Sequence, residues 1–194
     1  MKLPLFCLPN LNWMSSMFQI QLLHLCNETS FPKQTYRNRV EINTANGTLL
    51  LTIPIDGSTK HEEYKKVKIQ NDNVWKKQWI KSLRSAYNNS PYYEYYGYKL
   101  EDIINNSELY LWNKNIQLLH FVFQSLNLDV HLSDYNSYFT DEEFNIKKHY
   151  CYYQTHQNEV FSTVSVIDLI FNEGPDAYKT LYNHNKIEHE PLKK

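Results

Sequence analysis

Residues 39–55 read RVEINTANGTLLLTIPI, and this stretch decides the fold because it predicts two strands joined by a tight turn. The dipeptide Asn46-Gly47 tolerates the positive φ angles that a two-residue hairpin turn requires. The strands are predicted over 39–43 and 49–55. The unbroken Leu49-Leu50-Leu51 run predicts that the second strand is buried on both faces, because such runs are typical of strands covered on both sides.

Upstream of the hairpin, residues 3–8 predict a short buried strand and residues 11–18 predict a short helix. The apolar run over 19–26 is too short for periodicity to decide between strand and helix. Two prolines interrupt the first nine residues, which argues against a signal peptide. Because no apolar run approaches the ~18 residues that span a bilayer, we expect no membrane insertion and a cytoplasmic location.

Downstream of the hairpin, helical patterns dominate. Asn73 is the predicted N-cap of a helix that ends near residue 88, and Ser107 is the predicted cap of a second long helix. A further strand is predicted over 130–132 and a short helix over 165–171, which ends at a glycine as helices often do. The apolar stripe of the first helix consists of Trp75, Trp79, Leu83, Ala86 and Tyr87.

Strands are therefore expected mainly before residue 70 and helices mainly after it, with no internal repeat or linker. A chain of 194 residues fits one domain. We expect an α/β fold with a single mixed domain over 1–183, in which N-terminal strands with a β-hairpin are followed by packed helices. Residues 184–194 are predicted to form a charged C-terminal tail that frays.

Composition excludes several classes of protein. The four glycines are too far apart for a dinucleotide-binding or phosphate-binding loop, and no cofactor is predicted. Cys7, Cys26 and Cys151 form no CxxC pair, so no metal site is predicted. The formal net charge of −1 and the lack of a basic stripe argue against a nucleic-acid partner.

Arginine is rare, with only Arg37, Arg39 and Arg84 in the chain. The guanidinium group binds carboxylates and phosphates with two parallel hydrogen bonds, so these residues form a candidate anion clamp. If Arg39 begins a strand, alternation places Arg37 and Arg39 on the same side. The alternative is that they form structural ion pairs, for example with Asp168 or Glu94.

Asp168 and His156 are the candidate catalytic residues. Asp168 lies among apolar residues of the predicted helix over 165–171, where a carboxylate is costly unless it is paired. It is interpreted as either a general base or the partner of an arginine. His156 is a candidate acid or base, because a free imidazole titrates near neutrality.

Several blocks in this chain, taken together and in order from about residue 3 to 182, resemble the WbqC-like protein family of bacteria. They are KQTYRNR over 33–39, the hairpin, WKKQW over 75–79, SPYYEYY over 90–96, YQ over 153–154 and SVIDLIFNEGP over 165–175. The resemblance implies that Leu22–Cys26 is a strand. The chain departs from the family pattern at Leu8-Pro9-Asn10-Leu11, at Glu28, where the usual acidic residues are thinned, and at Ser162-Thr163. If those positions bind substrate, this member differs in specificity or activity.

The family is associated with lipopolysaccharide and O-antigen biosynthesis. The resemblance itself assigns no reaction; from the pathway we infer a cytoplasmic enzyme that acts on a nucleotide- or lipid-linked sugar, with acyl or aminoacyl transfer as the candidate reaction of a transferase. The alternative is a non-catalytic protein that binds a glycan precursor or serves as a scaffold. The expected partner is a small anionic ligand, either a nucleotide sugar or an acyl donor. The candidate substrate-binding residues are Lys33, Gln34, Tyr36, Arg37, Asn38, Arg39, Arg84 and Gln154.

Overall fold

The computed structural model describes residues 1–17, 20–28, 30–32, 35–70, 72–137, 142–147, 149–150, 152, 154–155 and 160–189, and it confirms a single mixed α/β domain. The strands are β1 (Lys2–Pro4), β2 (Leu22–Asn27), β3 (Arg39–Thr44), β4 (Gly47–Thr52), β5 (His131–Asn136), β6 (His149–Tyr150) and β7 (Val160–Phe161). The helices are α1 (Leu11–Ser15), α2 (Val74–Tyr87), α3 (Tyr93–Asn105), α4 (Leu111–Ser125), α5 (Val166–Glu173) and α6 (Ala177–His189).

The largest sheet is parallel, with β2 between β1 and β5. Leu3, Leu25 and Asp134 lie side by side across it, and Leu3 and Leu25 are buried in the core. The strand implied by the family resemblance is confirmed as β2, and the strand predicted near residue 130 is confirmed as β5. Only the beginning of the predicted first strand forms β1, although the residues after it are buried.

The hairpin is confirmed as β3 and β4, with Gly47 at a φ of 101° after the turn. The prediction that β4 is buried on both faces is wrong. Leu51 is only 6% exposed, but Leu49 and Leu50 are 39% and 48% exposed. Among the described residues β4 pairs with β3 alone, so its second edge has no neighbouring strand.

The stripe predicted for α2 is buried as expected. Helix α3 was not predicted, because its tyrosine-rich first half has no strong helical pattern; a Cβ atom at Gly97 would lie 2.8 Å from the ring of Tyr93, so the helix packs on its own aromatic side chain. The predicted cap at Ser107 is wrong. Helix α4 begins at Leu111, and the carboxylate of Glu108 accepts from nearby backbone amides instead.

The helix near residue 166 is confirmed as α5. The Ser165 side chain accepts from the amide of Ile167, and Gly174 ends the helix at a positive φ of 56°. A Cβ atom at Gly174 would lie 2.5 Å from the ring of Tyr92, so this position requires glycine for space as well as for φ. Helix α6 continues to His189, so the predicted start of the tail at residue 184 lies inside a helix.

Candidate functional site

A buried carboxylate at the start of α5 organises the main polar cluster of the domain. Asp168 lies in the first turn of α5, where the partial positive charge of the helix N-terminus favours an anion. Its side chain is buried, with a residue exposure of 1%. We call the surrounding cluster the Asp168 network. It consists of Asn43, Tyr87, Tyr152, Gln154, Asp168 and Asn172.

Two phenols and two amides donate to this carboxylate. The hydroxyl of Tyr87 lies 2.8 Å from Oδ2 of Asp168, and the hydroxyl of Tyr152 lies 2.6 Å from Oδ1. The side-chain amides of Gln154 and Asn172 also donate to Oδ1. All four donors are neutral, and a buried carboxylate with several donors is fixed in position and orientation.

Asn43 and Thr155 connect the Asp168 network to β3 and to the segment around residue 154. Asn43 of β3 donates from Nδ2 to Oε1 of Gln154 at 2.8 Å, and its backbone amide donates to the hydroxyl of Tyr87 at 3.3 Å. Thr155 donates from its amide and its hydroxyl to Oδ1 of Asn172. The cluster therefore joins the hairpin, α2, α5 and the segment around residue 154, and its polar atoms satisfy one another.

The two phenols of the Asp168 network have a strongly raised pKa. Burial raises the pKa of Tyr87 and Tyr152 well above the usual value, and the charge of Asp168 adds to both shifts. Burial raises the pKa of Tyr64 in the same direction, outside this network. Both phenols facing Asp168 are therefore protonated donors at neutral pH.

We expect the stability of the protein to fall steeply above about pH 10. The folded-state pKa of Tyr64, Tyr87 and Tyr152 lies above the unfolded value, so the folded chain keeps protons that the unfolded chain releases. Their contribution is fully present below about pH 10 and is lost as the pH rises toward the folded pKa. Burial of the Cys7 and Cys26 thiols raises their pKa and acts in the same direction.

Among the described residues, Lys114 opposes this loss of stability at high pH. Burial lowers the pKa of Lys114 to about 8, so this lysine adds stability as the pH rises from about 8 to about 10.5. Above pH 10 the three buried phenols and the two buried thiols outweigh the contribution of Lys114.

Urea unfolding at a series of pH values should show the loss of stability above about pH 10. Tyr152→Phe should reduce this loss, whereas the exposed Tyr95→Phe should leave it unchanged. Ionisation of the buried phenols near pH 10 without loss of stability would contradict the expectation.

Arg37, the centre of the predicted anion clamp, is fully buried and faces a carboxylate of its own chain. Its Nη2 donates to Oε1 of Glu28 at 2.6 Å, and both side chains have no exposed surface. Asn115 of α4 donates from Nδ2 to the carbonyl of Arg37 and to the hydroxyl of Tyr64. Glu28 follows β2 directly, so this pair occupies the carboxyl end of the central strand, where parallel sheets commonly bind ligands.

The other two arginines have different surroundings. Arg84 lies on the exposed side of α2 and donates to both carboxylate oxygens of Glu101 on α3. Arg39 begins β3 and is half-buried, and its Nε has no hydrogen-bond partner among the described residues. The carboxylate that pairs with Arg37 is thus Glu28 rather than Asp168 or Glu94, and Arg84 is held by a separate carboxylate.

The remaining candidate residues divide into two groups. Tyr36 is half-buried with its ring 5.3 Å from that of Phe6, and Asn38 donates to the carbonyl of Ile53. Lys33, Gln34 and His156 lie outside the described residues. Of the predicted site residues, the structure therefore brings Asp168 and Gln154 together in one cluster.

Sequence reasoning missed several members of these clusters. Tyr87 was assigned to the apolar stripe of α2, and the side chain of Asn43 received no role. A polar residue on the buried face of an otherwise apolar element was the available signal. It applies to Asn115, which shares a face of α4 with Trp112 and Leu119, but not to Asn43, which by alternation shares its face of β3 with the half-buried Arg39 and Glu41.

An apolar cavity of about 310 Å³ lies elsewhere, beside the amino ends of β2 and β5. It is lined by Met14, Met17, Ile20, Gln21, Leu128, Asp129, Val130, Tyr178 and Leu181. None of the predicted site residues that the structure describes lines this cavity. No group of three potential metal ligands occurs among the described residues, and none of the helices described is long and apolar enough to cross a membrane.

The fold and the Asp168 network define an α/β protein with a small parallel sheet, a packed hairpin and a carboxylate-centred polar cluster at the start of a short helix. A family model matches residues 6–145, and the chain belongs to the WbqC-like protein family. No curated protein and no solved structure matches the chain.

Proposed function

We propose that this protein is a cytoplasmic enzyme of surface-polysaccharide biosynthesis that acts on a nucleotide- or lipid-linked sugar, with the Asp168 network as its sugar site. Membership of the WbqC-like family supports the pathway. The observation that carries the site is the buried Asp168 carboxylate held by two phenols and two amides. Carboxylates, amides and aromatic rings are also the groups that recognise sugar hydroxyls and sugar faces.

The proposed reaction is acyl or aminoacyl transfer to a sugar hydroxyl or amino group. The acceptor oxygen or nitrogen forms a bond to the acyl carbon, and the leaving group departs with the electron pair of the bond that breaks. The proton of the acceptor passes to the carboxylate of Asp168, which acts as general base. Gln154 and Asn172 orient that carboxylate, and Tyr152 is the partly buried phenol of the network, less buried than Tyr87.

Access to the carboxylate sets a condition on this mechanism. Oδ1 of Asp168 already accepts from Tyr152, Gln154 and Asn172, whereas Tyr87 donates to Oδ2. An acceptor group can reach the carboxylate only if one of these donors moves aside. Tyr152 is the candidate, because the other three residues are buried.

Because the oxygens of Asp168 already accept several hydrogen bonds, a second candidate function is a non-catalytic protein that binds a glycan precursor. A carboxylate whose oxygens already accept several hydrogen bonds from its own chain offers a reacting group little access. In that case the network would shape a binding surface, and the partly buried Tyr152 and Thr155 would supply its polar groups.

A thermal-shift panel of nucleotide sugars, acyl donors and free nucleotides tests the proposal. A ligand at about 100 times its Kd should stabilise the folded state by about 2.7 kcal/mol. For a chain of this size the melting temperature should rise by about 5–11 °C. Asp168→Asn should abolish the response, and Glu101→Gln, which alters a carboxylate outside the network, should preserve it. Retention of the full response in Asp168→Asn would contradict the assignment of the site.

The two candidate functions differ in what happens to a ligand that binds. An enzyme should convert a matched pair of sugar and acyl donor into an acylated sugar, detected as a mass increase of the sugar. A binding protein should bind the sugar and leave its mass unchanged.

A further inference from the structure

The second edge of β4 is open and carries exposed leucines. Leu49 and Leu50 are 39% and 48% exposed, and they point to opposite faces because successive side chains of a strand alternate. A two-stranded hairpin with an open edge is a marginal sheet, and such an edge readily pairs with another strand.

The backbone of this edge is free to pair. Gly47, Leu49 and Leu51 are opposite Thr44, Ile42 and Val40, and the bond from the Ile53 amide to the Asn38 carbonyl fixes which residues face β3. By alternation, the amides and carbonyls of Thr48, Leu50 and Thr52 point outward. Those of Thr48 and Leu50 have no hydrogen-bond partner among the described residues, and the carbonyl of Thr52 accepts from the indole of Trp79.

The sequence of this edge matches itself in the reverse direction. Residues 48–52 read TLLLT, which is symmetric about Leu50. An antiparallel pair of two such strands places Leu50 opposite Leu50, and Thr48 opposite Thr52, with the outward-pointing groups of both strands facing each other. A two-fold axis through Leu50 satisfies the requirement that an isologous interface be complementary to itself.

We propose that β4 pairs with β4 of a second copy of this chain, in antiparallel register with Leu50 at the two-fold axis. The two hairpins then form one four-stranded sheet. The pairing places the exposed Leu50 side chains of the two copies side by side on one face of the sheet, where each covers part of the other's apolar surface. The carbonyl of Thr52 has a second lone pair, so its bond to Trp79 is compatible with the new ladder.

Cross-linking tests the register. Residues at the axis of such a pair have Cα atoms about 5.5 Å apart, within the range that a disulfide spans. Leu50→Cys should therefore form a covalent dimer under mild oxidation. In the matched control Thr48→Cys, the two introduced thiols lie four residues apart along the strands, about 14 Å, and should not form a bond. Both variants keep the three native cysteines, of which Cys7 and Cys26 are buried.

The mass in solution tests the interface itself. The unmodified chain should have the mass of a dimer in light scattering and dissociate on dilution. Leu50→Lys places two like charges opposite each other and should give a folded monomer with an unchanged circular dichroism spectrum. A monomeric mass for the unmodified chain at all concentrations would overturn the proposal. A dimer that survives Leu50→Lys, or equal cross-linking of the Leu50→Cys and Thr48→Cys variants, would overturn it as well.

Discussion

Replacing Arg37 by methionine is expected to destabilise the protein by about 3–5 kcal/mol, because it leaves the buried Glu28 without the guanidinium that faces it. The N–O distance of this pair is 2.6 Å, and neither side chain has exposed surface. Methionine occupies a volume close to that of the arginine stem, so loss of the charge is the main change. Thermal unfolding should show a decrease in the melting temperature of about 6–20 °C.

A double-mutant cycle separates the ion pair from packing. Adding Glu28→Leu to Arg37→Met removes both charges and should recover most of the lost stability, because a buried pair replaced by apolar groups is often neutral. Arg84→Ala is the control, since Arg84 binds Glu101 on the exposed surface and should have a much smaller effect. Arg37→Met with unchanged stability would show that the pair is not structural and would restore Arg37 as a ligand-binding residue.

The parts of the fold that the sequence predicted are those set by local chemistry. The hairpin turn needs a positive φ at Gly47, where it is 101°, and Gly174 ends α5 because few other residues adopt the φ of 56° found there. The stripe of α2 follows from the period of the helix itself. Each of these signals is contained in a few consecutive residues.

The features that were missed depend on residues far apart in the chain. Leu49 and Leu50 are exposed because no described part of the chain covers them, and this depends on tertiary packing that no local pattern reveals. Helix α3 forms where it packs against α2, α4 and α5, with the ring of Tyr93 5.0 Å from that of Phe171, although tyrosine is only a moderate helix former. Arg37 and Glu28 are close in sequence, but their burial depends on Asn115 and the rest of α4.

The candidate site was predicted only in part, because it too depends on residues that are far apart in the chain. Asp168 was recognisable as a carboxylate among apolar helix residues, and Gln154 followed from the family resemblance. Tyr87 was not separable from core aromatics, because its ring packs 5.0 Å from Phe171 while only its hydroxyl reaches Asp168. A side chain that belongs to the core at one end and to a polar cluster at the other has no distinct sequence signature.

Replacing Asp168 by alanine is expected to cost about 3–5 kcal/mol, because four donors, three of them buried, lose their common acceptor. Tyr87, Tyr152, Gln154 and Asn172 would each need a new partner or water. Asp168→Asn keeps one acceptor oxygen in nearly the same volume and should cost only about 1–3 kcal/mol. Urea unfolding of the two variants beside the unmodified chain measures both values.

The asparagine variant separates structure from function. A purely structural carboxylate predicts that Asp168→Asn remains folded and responds to the same ligands as the unmodified chain, with only its melting temperature lowered. A sugar site predicts that Asp168→Asn folds but no longer responds to the ligand. The asparagine side chain presents an N–H donor where the hydroxyl or amino group of the sugar requires a carboxylate oxygen. Tyr152→Phe sharpens the distinction: it removes one donor to Asp168 and should relieve the saturation of Oδ1 without removing the charge. If Asp168 is the base, Tyr152→Phe therefore retains ligand binding that Asp168→Asn abolishes, whereas equal loss in both variants would assign binding to the intact hydrogen-bond network rather than to the carboxylate.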